Sequence, residues 1–302
     1  MRWQVKCVID NCKGLLPFQN QLRKAKRHLF SYQPCLPRGR YAVEQGLVQI
    51  HWIREALGTL RGKSILEIGS GWEPLIPLLF FLCGAEHVYL TDSTHLLDVA
   101  SLRATLMSLR ANRDLIIDSL GLAPKTFDDK LAHDPISTAD FLSRFRFTYF
   151  APCDCGHLPL PDSSLDSVTS RAVFEHIPAD IIREILGESQ RVLKPGAVMC
   201  HLVDNSDHWE HGDKRISRVN FLRFEEREFR LTYLNKLNYQ NRLRHRDYVE
   251  MLLENRFQII RDEREIDQRS LEELRTLPLA IRFRSYSPED LATTDSYLLA
   301  RK

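Results

Sequence analysis

The stretch KSILEIGSGWEPLIPLLFFLCG, residues Lys63 to Gly84, decides how the rest of the chain is read. It opens with a short apolar run, Ile65-Leu66, continues through Glu67 and Ile68, and breaks at Gly69-Ser70-Gly71. Apolar residues then resume at helical spacing through Leu75, Leu78, Leu79 and Leu82. The order is strand, tight glycine turn, helix. Glycines open backbone angles closed to other residues and let a ligand approach the main chain. The turn also aims a helix N-terminus, with its free N–H groups, at that ligand. Pro74 suits an early helical position, where a missing N–H costs nothing. A dinucleotide fingerprint would need a third glycine where Pro74 stands, so an NAD site is not indicated.

Upstream, residues 15–30 form an amphipathic pattern. Phe18, Leu22, Ala25 and Leu29 share one face, and Arg23, Lys24, Lys26, Arg27 and His28 load the other. A capping helix with solvated charges is one reading; contact of this basic helix, 18–30, with an anionic membrane surface is the other. A second helix is expected from about Val43 to Leu60. Together these make a helical N-terminal extension over 1–61.

Downstream, Glu86 to Asp92 reads as a second strand with an acid at its end. Asp92 lies about twenty residues past the glycine turn, where a carboxylate accepts from ribose hydroxyls; Ser93 follows and starts the next segment. Leu96–Leu120 is expected to be helical, Gly121–Asp140 turn-rich and 139–145 a short helix. An insertion of this size, about 95–145, suggests a lid, a substrate-side subdomain or an oligomer contact. The chain then alternates: strand Phe147–Ala151, strand Asp166–Ser170, helix Ala179–Leu193, strand Ala197–Val203, strand Gln258–Arg261 and a last strand at Ser296–Ala300. Such alternation implies a parallel sheet with right-handed crossovers.

The motifs D-x-x-x-L-P, D-S-S-L-D-S-V (Asp162–Val168), V-F-E-H-I-P (Val173–Pro178) and R-V-L-K-P-G (Arg191–Gly196) follow one another in that order. With E-x-G-x-G at Glu67–Gly71 and with Asp92, this series resembles the class I S-adenosylmethionine (SAM) methyltransferases, in particular the small-molecule, quinone-biosynthesis-like family. The resemblance covers roughly residues 62–204; Ala197 replaces a usual second glycine, and the insertion before the third strand is atypical. It implies an α/β fold with a doubly wound, mostly parallel seven-stranded Rossmann-like sheet. The methyltransferase domain would span 62–302, with insertions at about 95–145, 205–245 and 265–290, and the final strand would be antiparallel. It implies SAM as cofactor, with Glu67, Gly69, Ser70 and Gly71 facing the methionine part, and Ser170 and Arg171 lining the same side. Asp92 and Ser93 would stand at the ribose. Asp154 would accept from the adenine amino group, with the Cys155 N–H at a ring nitrogen.

His176 is the candidate catalytic residue, since imidazole titrates near neutrality and can take a proton from an acceptor hydroxyl. A plain hydrogen bond at a helix start is the alternative. His201, Asp204, Asp207, His208 and His211 suggest a metal cluster by residue type, but acid–histidine runs after a strand are usually solvated loops, and no metal is expected. His208 and Trp209 are expected to line an acceptor pocket.

The 302 residues suffice for one elaborated α/β domain. Net charge is +2, with 43% hydrophobic and 27% charged residues, and gives no global nucleic-acid signal. The seven cysteines form no C-x-x-C pair, which fits reduced thiols in a cytoplasmic protein. No secretory signal or membrane span is read. The leading expectation is methyl transfer to a small-molecule acceptor, such as a sugar or another anionic metabolite, with no nucleic-acid partner and an oligomer allowed. An RNA or other nucleic-acid methyltransferase is the first alternative. Against it, the arginines of 214–246 are interleaved with Glu225, Glu226 and Glu228, as on a solvated helix face. A non-catalytic SAM-binding partner protein is the second.

Overall fold

A computed structural model describes residues 2–14, 36–232 and 239–302. The basic segment 18–30, and the membrane contact expected of it, lie outside the described residues. Seven strands form one sheet: β1 Ser64–Ile68, β2 His87–Thr91, β3 Phe147–Phe150, β4 Leu165–Arg171, β5 Leu193–Asp204, β6 Gln258–Ile266 and β7 Thr293–Arg301. Their order is β3-β2-β1-β4-β5-β7-β6. This is the α/β architecture expected of the sequence. The pairs β1–β2, β1–β4 and β2–β3 are parallel. No helix among the described residues is long and apolar enough to cross a membrane.

The chain divides into two compact units. The first holds 36–171, Ile185–His201 and Leu299–Lys302. In its sheet, Ile68 stands level with Thr91 on one side and Ser170 on the other. The next residue of each strand end, Gly69, Asp92 and Arg171, therefore leaves the sheet at one edge. β1 connects outward to β2 on one side and pairs with β4 on the other, so this is the edge where the strand order reverses and where such sheets bind ligands.

The apolar run Leu75–Leu82 forms a fully wrapped helix: Leu78, Leu79 and Phe80 are all sealed from solvent. Burying side chains of this size is worth roughly 1.5–3 kcal/mol each. The helix Leu36–Leu57 lies close to it at Gly46, where an added Cβ would stand 2.9 Å from both Ile76 Cγ1 and Leu79 Cδ1. A side chain at position 46 would push the two helices apart.

The insertion is more helical than expected. The sequence predicts one helix over 96–120; the chain breaks it at Asn112 into Val99–Ala111 and Arg113–Leu120. Gly121, in the left-handed region at φ 68°, stops the second. The stretch expected to be turn-rich contains the helix Pro124–Lys130, which starts on its proline and is anchored by Phe127, only 1% exposed. Leu102, Leu106, Leu109, Phe141 and Phe145 are buried too. The insertion thus adds to the core of its own unit.

The second unit holds 2–14, Ala172–Glu184 and Leu202–Leu298. Its apolar centre joins Cys7, Trp209, Val219, Phe221, Leu222, Phe229, Ala280, Phe283 and Leu291. Trp209, expected in an acceptor pocket, is a core residue at 4% exposure. The segment after β5 is not the solvated loop expected. Asp207, Glu210 and Asp213 are buried and each is matched: Asp207 accepts from the Trp209 N–H, Glu210 from Lys214, and Asp213 from Arg215 and the Trp3 N–H. Paired in this way, buried carboxylates stay affordable. Arg242 and Arg244 are likewise buried, and Arg244 is completely so.

Candidate active site

At the turn after β1, the Gly69 and Ser70 N–H groups both donate to the Thr91 carbonyl at 2.9 Å. Gly69 and Gly71 take φ of 71° and 62°. A Cβ on Gly71 would meet nothing within 4 Å, so the turn faces open space on that side. The Gly71 N–H donates to Asp92 Oδ2 at 3.0 Å and the Thr94 N–H to Asp92 Oδ1 at 3.0 Å. These bonds fix the carboxylate at the end of β2 while leaving each oxygen a second lone pair. Burial raises the Asp92 pKa, and N–H donation from Thr94, Gly71 and the exposed Ser93 opposes the rise.

Glu67 is 6% exposed, and its Oε2 meets no hydrogen-bond donor among the described residues. Burial pushes its pKa to about 8, with nearby Arg171 pulling down and Asp92 pushing up. A buried acceptor without a donor waits for one. Arg171 ends β4, donates from Nε to Gln45 Oε1 at 2.5 Å and lies 5.6 Å from the centre of the Tyr41 ring. The residues that hold it were not anticipated. Tyr41, Gln45 and Gln49 repeat every fourth position on the helix Leu36–Leu57, a polar stripe visible in the sequence once the helix is extended to its true start.

The remaining candidates are placed as follows. Ser170 is fully buried and its Oγ lies 2.7 Å from His201 Nδ1, so its hydroxyl is engaged inside the sheet layer; its carbonyl accepts from Gln49. Asp154 is largely exposed; it accepts from the Gly156 N–H at 2.9 Å, and His157 Nδ1 stands 3.0 Å away. That contact with His157 lowers its pKa. Cys155 Sγ lies 3.3 Å from Thr91 Oγ1, and burial pushes its thiol to about 12, far from a reactive thiolate.

These residues fit SAM. The orphaned Glu67 oxygen matches the ammonium of its methionine part, Arg171 offers a counter-charge to the carboxylate, and Asp92 offers two acceptors to ribose hydroxyls. A pH dependence follows. Glu67 is protonated in the folded protein up to about pH 8, whereas in an unfolded chain it ionises near its ordinary value. Free protein is therefore stabilised relative to high pH below the ordinary carboxylate range, and this is lost as pH rises toward about 8. An ammonium ligand reverses the preference. SAM affinity should rise up to tenfold per unit from about pH 6 to about pH 8, with uptake of the ligand releasing a proton. Glu67→Gln should flatten the slope. Calorimetry in buffers of different ionisation heat measures both; a flat profile for the native protein would remove the Glu67 assignment.

The second unit carries a separate group of titratable side chains. A short helical turn, Phe174–His176, follows β4 in the chain. Asn241 clamps it: its side-chain N–H groups reach the Phe174 and Ile177 carbonyls at 2.7 and 2.8 Å, and its backbone N–H reaches the Glu175 carbonyl at 2.7 Å. His176 Nδ1 lies 2.7 Å from the Tyr239 carbonyl. A carbonyl only accepts, so Nδ1 carries the proton and Nε2 presents a lone pair. Burial lowers the His176 pKa, the bond to the Tyr239 carbonyl opposes this, and the net lowering favours that neutral form. The His176 and His208 rings are 5.0 Å apart, and the His208 and His211 rings stack at 5.3 Å. Asp204 Oδ2 is 3.3 Å from His208 Nε2. Burial alone would raise the Asp204 pKa; its hydrogen bonds to His208 and Ser206 prevail and hold it at about 2.

In the same unit a cavity of about 600 Å³ is lined by Phe229, Arg230, Tyr239, Arg242 and Arg282, with Glu226 and Asp180 among its walls. Of its arginines, Arg242 is sealed and bonded to the Phe221 and Phe224 carbonyls, while Arg230 and Arg282 are exposed. Both Arg230 and Arg242 bond to Glu226, so a single carboxylate serves two cations.

Residues 130–201 match the model of the family described as "Methyltransferase domain". No curated protein matches the chain. Among solved structures, the chain is similar to a SAM-dependent methyltransferase from Mesorhizobium loti (14% identity, 83% of this chain and 96% of that one, TM-score 0.46). It is similar also to one from Methanosarcina mazei (18%, 80% and 93%, 0.44). A third is a geranyl diphosphate C-methyltransferase from Streptomyces coelicolor A3(2) (11%, 84% and 77%, 0.43). The segment 130–201 thus matches a methyltransferase domain, and it lies in a chain that carries the seven-stranded sheet and the glycine turn after β1.

Proposed function

We propose that the protein transfers the methyl group of SAM to a small anionic acceptor, a phosphorylated or carboxylated metabolite such as an acidic sugar. The observation that carries this reading is the cavity lined by Arg230, Arg242 and Arg282, whose wall residue Tyr239 also fixes the tautomer of His176. Guanidiniums bind phosphate and carboxylate through paired N–H donors, and the aromatic walls cover an apolar ring face.

SAM supplies a methyl group on a sulfonium, so catalysis is mainly a matter of positioning and of removing the acceptor's proton. Glu67, Arg171 and Asp92 hold the two polar ends of the cofactor. Arg230 and Arg282 orient the acceptor. The His176 Nε2 lone pair would take the acceptor's proton as the acceptor's electron pair bonds to the methyl carbon and the carbon–sulfur pair leaves on the sulfur of the demethylated cofactor.

The test is a panel of phosphorylated and carboxylated metabolites, each with a neutral analogue, read by release of the demethylated cofactor. Anionic members should turn over and neutral analogues should not. With the best acceptor, Arg282→Ala should raise KM about tenfold and leave kcat nearly unchanged, the signature of lost uniform binding. Turnover of neutral analogues at equal rates, or indifference to Arg282→Ala, would overturn the anionic-acceptor reading.

A further inference from the structure

We propose that Glu175, His176 and His208 form a site for one divalent cation of the borderline class, typified by zinc and cobalt. One ligand atom from each of the three lies within 4.8 Å of the other two. The set differs from the histidine-rich run suggested by sequence. His201 is engaged with Ser170, and Asp207 is tied to the Trp209 and Asn220 N–H groups. Instead, two adjacent residues of the turn Phe174–His176 meet one residue from the segment after β5.

Three features support a cation over a chance cluster. The Glu175 carboxylate is 2% exposed and so lies away from bulk water, beside the two imidazoles. The His176 imidazole is held from behind by the Tyr239 carbonyl at 2.7 Å, and Asp204 Oδ2 stands 3.3 Å from His208 Nε2. Ligating histidines are oriented by such carbonyl and carboxylate partners, which also raise their basicity. The turn itself is clamped by Asn241, so two of the three ligands sit on a fixed backbone.

Two imidazoles and one carboxylate select zinc, cobalt or iron over magnesium or calcium, which prefer oxygen ligands throughout. Ligand atoms around a tetrahedral zinc stand about 3.4 Å apart. Side-chain torsions close the remaining gap from 4.8 Å. Three protein ligands leave a fourth position open, as catalytic zinc sites do. The consequence rests on the acceptor-side reading above: a cation there would bind the acceptor hydroxyl and lower its pKa, so that its proton would leave to solvent water and His176 Nε2, then a ligand, would not be the base. The binding itself does not depend on SAM or on an acceptor.

The experiment uses full-length protein stripped with chelator and titrated with Co²⁺ and Zn²⁺ in the absence of SAM. Expected are one equivalent of each and a visible Co²⁺ ligand-field band. His208→Ala and Glu175→Gln should weaken binding at least thirtyfold. Asp204→Asn, which leaves all three ligands in place and alters the group beside His208, should weaken it about tenfold. The His176→Ala variant serves if Glu175→Gln fails to fold. Dissociation constants weaker than about 100 µM, or one-equivalent binding unchanged in both His176→Ala and His208→Ala, would overturn the site. Calorimetry with SAM on the same samples separates the two readings. Cation binding without SAM binding removes only the cofactor assignment, and the reverse removes only the cation site.

Discussion

Asp92→Ala lowers the affinity for SAM about a hundredfold while the free protein melts within a few degrees of the native one. The carboxylate stands at the end of β2, its two oxygens already set by the Gly71 and Thr94 N–H groups. It is therefore rigid before a ligand arrives, and little side-chain entropy remains to be lost on binding. Two hydroxyl donors to a carboxylate are charge-assisted bonds, each worth roughly 1.5–3 kcal/mol. Losing both, with partial replacement by water, leaves a deficit of about 3 kcal/mol, which is about a hundredfold in affinity. The same variant orphans the two N–H groups, but they lie in a part-exposed turn where water replaces the carboxylate. Asp92→Asn keeps one acceptor oxygen and should fall between, at about tenfold. Calorimetric titration with SAM and with its demethylated product measures each; affinity unchanged in Asp92→Ala would remove the ribose role.

The difference between what could and could not be read in the sequence has a simple physical basis. The glycine turn and Asp92 are local: their identity is set by a few consecutive residues whose backbone geometry follows from residue type. Strand order near the turn follows from the alternation of strands and helices. The supports of Arg171 are different, because Gln45 reaches across 126 positions and depends on how the helix Leu36–Leu57 packs. Glu175 and His176 stand out as a pair in the sequence. His208 as their neighbour does not, since its approach is set by the path of the chain after β5. Within 205–245, Glu225, Glu226, Arg227 and Glu228 are exposed as expected, whereas Asp207, Glu210, Asp213, Arg242 and Arg244 are buried against expectation. Composition alone describes them as solvated. Only tertiary pairing, such as Asp213 with Arg215 and with the Trp3 N–H, brings them inside.

Arg244→Leu carries the largest expected cost in stability, about 3–5 kcal/mol, because it removes the partner of several buried carbonyls at once. The side chain has no exposure. Its guanidinium donates to the Asn205 carbonyl at 2.8 Å, to Leu291 at 2.9 Å, to Asp290 at 3.4 Å, and to Thr293. Burial lowers its pKa to about 10, opposed by the charges of Asp290, Tyr248 and Asp247, so it remains protonated at neutral pH. Leucine fills part of the volume but offers no donor, and each stranded carbonyl costs roughly 1–3 kcal/mol. Arg244→Lys should not rescue it: a single ammonium cannot reproduce the planar fork of donors and should still cost about 2–3 kcal/mol. By contrast, Arg282→Ala lies on an exposed side chain and should stay within about 0.5 kcal/mol. Urea titration of the three variants ranks them, and a Lys variant as stable as native would show that charge, not the forked geometry, holds this part of the unit together. If Arg244→Leu were as stable as Arg282→Ala, the buried guanidinium would not be the tie that joins β7 to the segment following β5.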